Sequence, residues 1–181
     1  MPFIGPRFSE TMNNTTSDPN DLARRLEEIS ARLQRFEDIE AIKRLKAYYA
    51  ECADRGKNLL AVCTDDIVWD GGERFGRHVG KKAFREFGKR NAKVITWTLH
   101  YMVPSAIDVS DDGQSARGTW YLWELATMPK TDGKSEAVWI GGTYEDTFVK
   151  EDGRWKFKTV TLRLDILSPY GDSWAKTRFR E

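Results

Sequence analysis

Cysteine and histidine are scarce, with two of each in 181 residues. Cys52 and Cys63 make no disulfide framework. With His78 and His100 they form no zinc motif either, because no two of the four are spaced as ligand pairs. No apolar run approaches the roughly 18 residues that would span a bilayer, and no signal-peptide core opens the chain. A reduced, cytoplasmic protein without membrane partners is expected. Charge of one sign is missing as well: the net value is +1, and basic residues are interleaved with acids. That balance offers no footprint for nucleic acid. Gly-rich phosphate loop, P-loop and nucleophile elbow are all absent, as are repeats and low-complexity blocks.

Aromatic side chains are plentiful. Seven Trp, nine Phe and six Tyr must mostly be buried or line something. Residues 1–18 are rich in Pro, Ser, Thr and Asn without periodicity and read as a loose arm; residues 19–181 read as one domain. Asp18-Pro19 is a helix start. Leu22, Leu26, Ile29, Leu33 and Phe36 then recur at spacings of four, three, four and three, the apolar stripe of an amphipathic helix. That stripe is either a packing seam against another subunit or the side that faces the sheet. A second helix over 38–55 carries Ile39, Ile42, Leu45, Tyr49 and Cys52 on one side, with Gly56 placed to end it. A short helix over 58–63, a strand at 67–70 and a helix over 80–90 follow. Beyond residue 92 come four long β-type segments separated by Asp112-Gly113, Asp132-Gly133 and Asp152-Gly153 turns. Helices first and a strand meander afterwards predict an α+β fold: a curved mixed sheet wrapped round N-terminal helices, enclosing a concave, mainly apolar pocket. Gly141-Gly142, mid-strand, reads as a bulge or close backbone approach.

Three residues stand out as candidates for chemistry. Asp54 sits at a helix C-terminus, where the dipole disfavours a carboxylate; the plain alternative is a solvated acid paired with Arg55 or Lys57. His100 lies in an apolar strand and shares a face with Thr98 and Met102. It is either a satisfied core residue or, given a partner carboxylate, a general base. Arg163 falls on the Trp155 side of the last strand if its alternation is unbroken. A bulge near Thr159 would instead turn Val160, Leu162 and Leu164 inward and Arg163 to solvent. Tyr48, Trp69, Trp97, Tyr121, Trp123, Glu124 and Trp139 are further pocket candidates. All but Glu124 would form an aromatic wall for a flat, ring-bearing ligand.

The succession LKAYYAECADRG, CTDDIVWDGG, FGRHVGKKAFREF, TLHYMVPSAIDVS, GGTYEDTFVKEDGRWKFKTVTLR and LSPYGDSW resembles the SnoaL-like group of the nuclear-transport-factor-two-like superfamily, over about residues 22–174. This resemblance implies a cystatin-like α+β barrel and a superfamily that hosts dehydratases, dehydrochlorinases, isomerases, cyclases, aldol-type lyases and non-enzymatic binders. The chain looks closest to the bile-acid 7α-dehydratase and γ-hexachlorocyclohexane dehydrochlorinase types. Their catalytic Asp falls on Asp54 and their His on His100. The dehydratase Tyr falls on Tyr49 and its last-strand Arg near Arg163. A further dehydratase Asp has no clean counterpart, since Trp123 and Glu124 stand there, and the dehydrochlorinase Arg lands on Val160. The implied protein is a lyase without metal or organic cofactor. Asp54 would hold His100, His100 would take a proton, and Tyr49 or Arg163 would stabilise the departing oxygen. Its substrate would be a hydrophobic aromatic or alicyclic alcohol undergoing dehydration or a related C–C cleavage. Isomerisation, aldol cyclisation and non-catalytic binding are the alternatives. A homo-oligomer, trimer or dimer, is implied by the same likeness.

Overall fold

A computed structural model describes residues 18–130 and 132–180. Except for Asp18, the arm expected over 1–18 lies outside them. Two helices were expected before Gly56; one continuous helix, α1 (Pro19–Arg55), is found. Nothing between Phe36 and Asp38 can break it, since neither Pro nor Gly stands there. Its start is the expected one: the Asp18 carboxylate caps the first turn by accepting from the Asn20 N–H at 3.0 Å, and Pro19 fills the first helical position. Gly56, at φ +65°, ends it in the left-handed conformation that suits glycine. The chain divides into two units, one up to Gln34 and one from Arg35 onward. In the first, the helix surface carries Arg24 pairs with Asp21 and Glu28.

The second unit holds the sheet. After a 3₁₀ turn (Leu59–Val62) come β1 (Cys63–Asp70), the four-residue α2 (Gly72–Phe75), β2 (Arg77–Val79) and α3 (Gly80–Val94). The meander follows as β3 (Trp97–Val109), β4 (Ser115–Pro129), β5 (Ser135–Glu151) and β6 (Arg154–Pro169). The strands form one curved, unclosed sheet of order β2-β1-β6-β5-β4-β3. Among the six described strands only the β1–β6 pair is parallel, so the sheet is mixed as expected. Alternation along β4 buries Ala116, Trp120, Leu122, Ala126 and Met128, and these belong to one cluster with Trp69 of β1 and with Ile42, Tyr49, Phe84 and Phe87 from the helices above. Glu124 occupies a position in that same buried row.

Besides a register shift in β1–β6 between Cys63 and Val68, three irregularities decide which residues of the meander face inward. The β3–β4 register shifts between Pro104 and Ala106. In β5–β6 it shifts at Thr147/Phe148, leaving Lys158 unpaired, and at Gly141/Gly142, leaving Asp165 unpaired. Each extra residue flips the alternation of its strand. Gly142 also fulfils the close approach expected of it, because a Cβ there would lie 2.3 Å from the Arg163 carbonyl oxygen.

Three charged residues are buried where α1 meets the sheet, Asp38, Lys46 and Asp146. Asp38 accepts from Lys150 Nζ at 2.7 Å and from Trp155 Nε1 at 2.8 Å. Lys46 and Asp146, both essentially inaccessible, pair at 2.7 Å. The Lys46 ammonium stands 3.6 Å from the Tyr144 ring centre and 4.5 Å from that of Tyr49, an aromatic surround that replaces part of its lost hydration.

Candidate active site

A cavity of about 680 Å³ opens between the inner face of the sheet, the end of α1 and α3. Its upper wall is aromatic: Trp69 of β1 stacks on Phe87 of α3 with ring centres 4.3 Å apart, and Phe75 and Phe84 complete the slot. On the floor, Tyr49 of α1 accepts a hydrogen bond from Trp69 Nε1 at 2.8 Å. Burial drives the Tyr49 phenol well above its ordinary value, so it stays protonated with a proton to donate.

The polar centre is built from three elements. Asp54, in the last turn of α1, points at the start of β3. Its Oδ1 accepts from Thr98 Oγ1 at 2.8 Å and meets His100 Nδ1 at 2.6 Å, while Oδ2 accepts from the His100 backbone N–H at 3.1 Å. Burial alone would raise this carboxyl, but the three hydrogen bonds outweigh it and hold it below the usual range. An ionised Asp54 can only accept, so Nδ1 of His100 carries the hydrogen, and in the neutral ring Nε2 is the atom with the lone pair. Glu124 faces that lone pair directly, with Oε2 3.3 Å from Nε2. Its side chain is 6% exposed. Burial, reinforced by the Asp54 charge and only partly opposed by His100, pushes Glu124 up to about 7. Two carboxyls on one imidazole thus differ in state, one ionised and one able to hold a proton near neutrality. Both ring nitrogens of His100 are occupied by them, and among the described residues no group of three or more His, Cys, Asp and Glu is set to hold a metal ion.

Of the residues singled out from sequence, Asp54, His100, Tyr49, Trp69 and Trp97 line the cavity, with Trp97 half-exposed at its mouth. Five others do not. Tyr121, Trp123 and Trp139 belong to the opposite face of the sheet, because the buried row of β4 is Leu122, Glu124 and Ala126. There Trp123 stacks on Trp139 at 5.0 Å. Tyr48, one helical position from Tyr49, points elsewhere and is half-buried beside Cys52. Arg163 is 70% exposed and sits 3.5 Å from Glu145. The Lys158 bulge turns Val160 and Leu162 inward in its place, so the alternative weighed for that strand is the one realised. Tyr144, Phe75, Phe84, Phe87 and Thr98 were not assigned to the site from sequence. For Thr98 a signal existed, since it shares the His100 face. Glu124 was counted as a pocket candidate without a role.

Comparison with known proteins agrees with this architecture. The LinA-type3 hexachlorocyclohexane dehydrochlorinase of Novosphingobium barchaimii LL02 superimposes with a TM-score of 0.66 at 20% identity, over 82% of this chain and 98% of that one. A protein from Novosphingobium aromaticivorans, assigned as a scytalone dehydratase, gives 0.66 at 24% identity over 76% and 90%. A Nostoc punctiforme protein of unknown function with a cystatin-like fold gives 0.52 at 19% identity over 68% and 88%. At such identities the likeness is one of fold. The family model of the SnoaL-like domain matches residues 34–161, from the middle of α1 into β6. This chain belongs to the SnoaL-like domain family.

Proposed function

We propose that the protein is a cofactor-independent lyase that removes water from a hydrophobic aromatic or alicyclic alcohol, with Asp54, His100 and Glu124 as its acid–base set. One observation carries this reading: an imidazole held by an ionised carboxylate on one side faces a protonatable carboxyl on the other, inside an aromatic slot. Substrate would displace the Glu124 carboxyl from Nε2, so that the imidazole and the carboxyl both face it. His100 Nε2 takes the proton from the carbon next to the carbinol. That C–H electron pair becomes the new C=C bond, and the C–O bond breaks. The departing oxygen takes its proton from Glu124 and leaves as water. Asp54 stays ionised and stabilises the imidazolium; Tyr49 donates to the same oxygen. Chloride leaves without needing a proton, so an acid at position 124 favours dehydration over loss of chloride. Arg163, turned to solvent, has no part in this scheme.

The direct test is a screen of ring-bearing alcohols for products lighter by one water, followed by variants. General acid–base help is worth about 10²–10⁴-fold. His100→Ala is therefore expected to lower kcat by at least about a hundredfold with the circular dichroism spectrum intact. Glu124→Gln should cost nearly as much on alcohols, but little on an analogue whose leaving group needs no proton. Products of unchanged mass would point to isomerisation. Ligand binding that none of these variants affects would sink the enzymatic reading.

A further inference from the structure

The stripe on the first half of α1 is left uncovered. Leu22, Leu26, Ile29 and Leu33 are 52–60% exposed and Phe36 is 64% exposed. Five consecutive large apolar residues at four-three spacing are the seam of a coiled coil, not the broader face of a helix lying on a sheet. Their phase gives Leu26 and Leu33 the a positions and Leu22, Ile29 and Phe36 the d positions. The pattern stops abruptly: the next a and d positions are Glu40 and Lys43, which pair with each other. Beyond that point the residues buried by α1 are Asp38, Ile42, Lys46, Tyr49 and Cys52, and they follow a different stripe. The seam therefore does not continue the face that packs in the second unit.

We infer that residues 22–36 form a parallel coiled coil with the same segment of further copies of this chain. Charge selects the partner and its direction. Over residues 21–28 the ion pairs join residues three or four apart: Arg24 with Asp21 and Glu28, Arg25 with Asp21. Among the described residues Arg32 and Glu37 have no ion-pair partner. They are five apart, a spacing that cannot meet on one helix but is the g-to-e′ spacing across a parallel pair. An antiparallel pairing would set Arg25 and Arg32 of one chain against the same arginines of the other and repel. The chemistry asked of the partner is thus a copy of this stripe with an acid five residues beyond the level of Arg32, which this chain itself supplies at Glu37.

The test uses the full chain in sedimentation and light scattering across a concentration series. Leu26→Glu/Leu33→Glu is expected to raise the dissociation constant by more than about a hundredfold, since two buried leucines are lost per helix. Circular dichroism of the sheet domain and ligand binding in the cavity should stay unchanged. Arg32→Glu should weaken association by about two- to fivefold, and adding Glu37→Arg should restore it. Leu26→Cys should cross-link to itself on mild oxidation, because a parallel seam brings equal positions together; Cys52 and Cys63 are buried and do not compete. A monomeric full chain, an oligomer indifferent to Leu26→Glu/Leu33→Glu, or failure of Leu26→Cys to cross-link would overturn the proposal.

Discussion

Glu124 is the residue on which the proposed chemistry turns, and its protonation also bears on folding. A glutamate free in the unfolded chain titrates near 4.5, whereas burial holds this one up to about 7 in the native state. Across that window the native form binds the extra proton, so stability is greatest below pH 4.5 on this group's account and falls as pH rises through 7. The loss is on the order of 3 kcal/mol. Glu124→Gln, which keeps the shape and can still donate to His100, should flatten that slope. Urea unfolding of both proteins at pH 5, 6, 7 and 8 checks this, and parallel curves would show that Glu124 ionises normally. For Asp54 the sign is reversed. Its carboxyl is held low by His100 and Thr98, so its contribution is present above its ordinary value and disappears as acid protonates it. The site therefore has opposing acid and alkaline limits built from two side chains of nearly the same chemistry.

At the scale of the element, single inserted residues determine what reaches the cavity. Counting back from the Asp112-Gly113 turn with unbroken pairing, as Val109 pairs with Ala116, would set His100 opposite Leu125 and turn it outward, away from Glu124. The bulge between Pro104 and Ala106 moves the register by one, and Glu124 becomes the cross-strand partner of His100. The Lys158 bulge has the converse effect on Arg163. Neither is marked by a glycine or proline rule that a reader of the letters could apply with certainty of position. Pairing between α1 and β5 rests on the Lys46–Asp146 ion pair, sealed among aromatic rings. Burial pulls the lysine down and the aspartate up, and their mutual attraction opposes both. One oxygen, Asp146 Oδ1, has no hydrogen-bond partner. Removing one member leaves an uncompensated charge: Lys46→Met is expected to cost about 3–5 kcal/mol in chemical denaturation. Lys46→Met/Asp146→Leu should recover most of that loss. A double variant as unstable as the single would show that the pair itself, not the stranded charge, carries the energy.

For the whole molecule, an aromatic slot of about 680 Å³ is large enough for a ring system of drug-like size. A ligand that occupies it binds only the folded state. At a hundred times its Kd such a ligand stabilises by about 2.7 kcal/mol, which for a chain of this length raises Tm by about 5–10 °C. Thermal scans with ring-bearing alcohols test this without any assumption about turnover. Ligands that bind but leave Tm unmoved would place them outside the cavity. Among the described residues no helix is long and apolar enough to cross a membrane. The aromatic residues of the sheet's other face, exposed Tyr121 and the half-buried Trp123–Trp139 stack, take no part in the slot.

Periodicity, capping residues and Asp-Gly turns are local properties, and they alone placed the helices, the long meander and the α+β class. Asp54 and His100 were also legible, because a carboxylate against a helix dipole and a histidine in an apolar strand are each anomalies that ask for a partner. That Glu124 meets the imidazole, and that Arg163 and the sheet aromatics Tyr121, Trp123 and Trp139 turn away from the cavity, were settled by tertiary structure. The physical reason is the two-residue period of a strand: one extra residue anywhere along it exchanges the two faces, and only pairing with the neighbouring strand reveals where it was inserted.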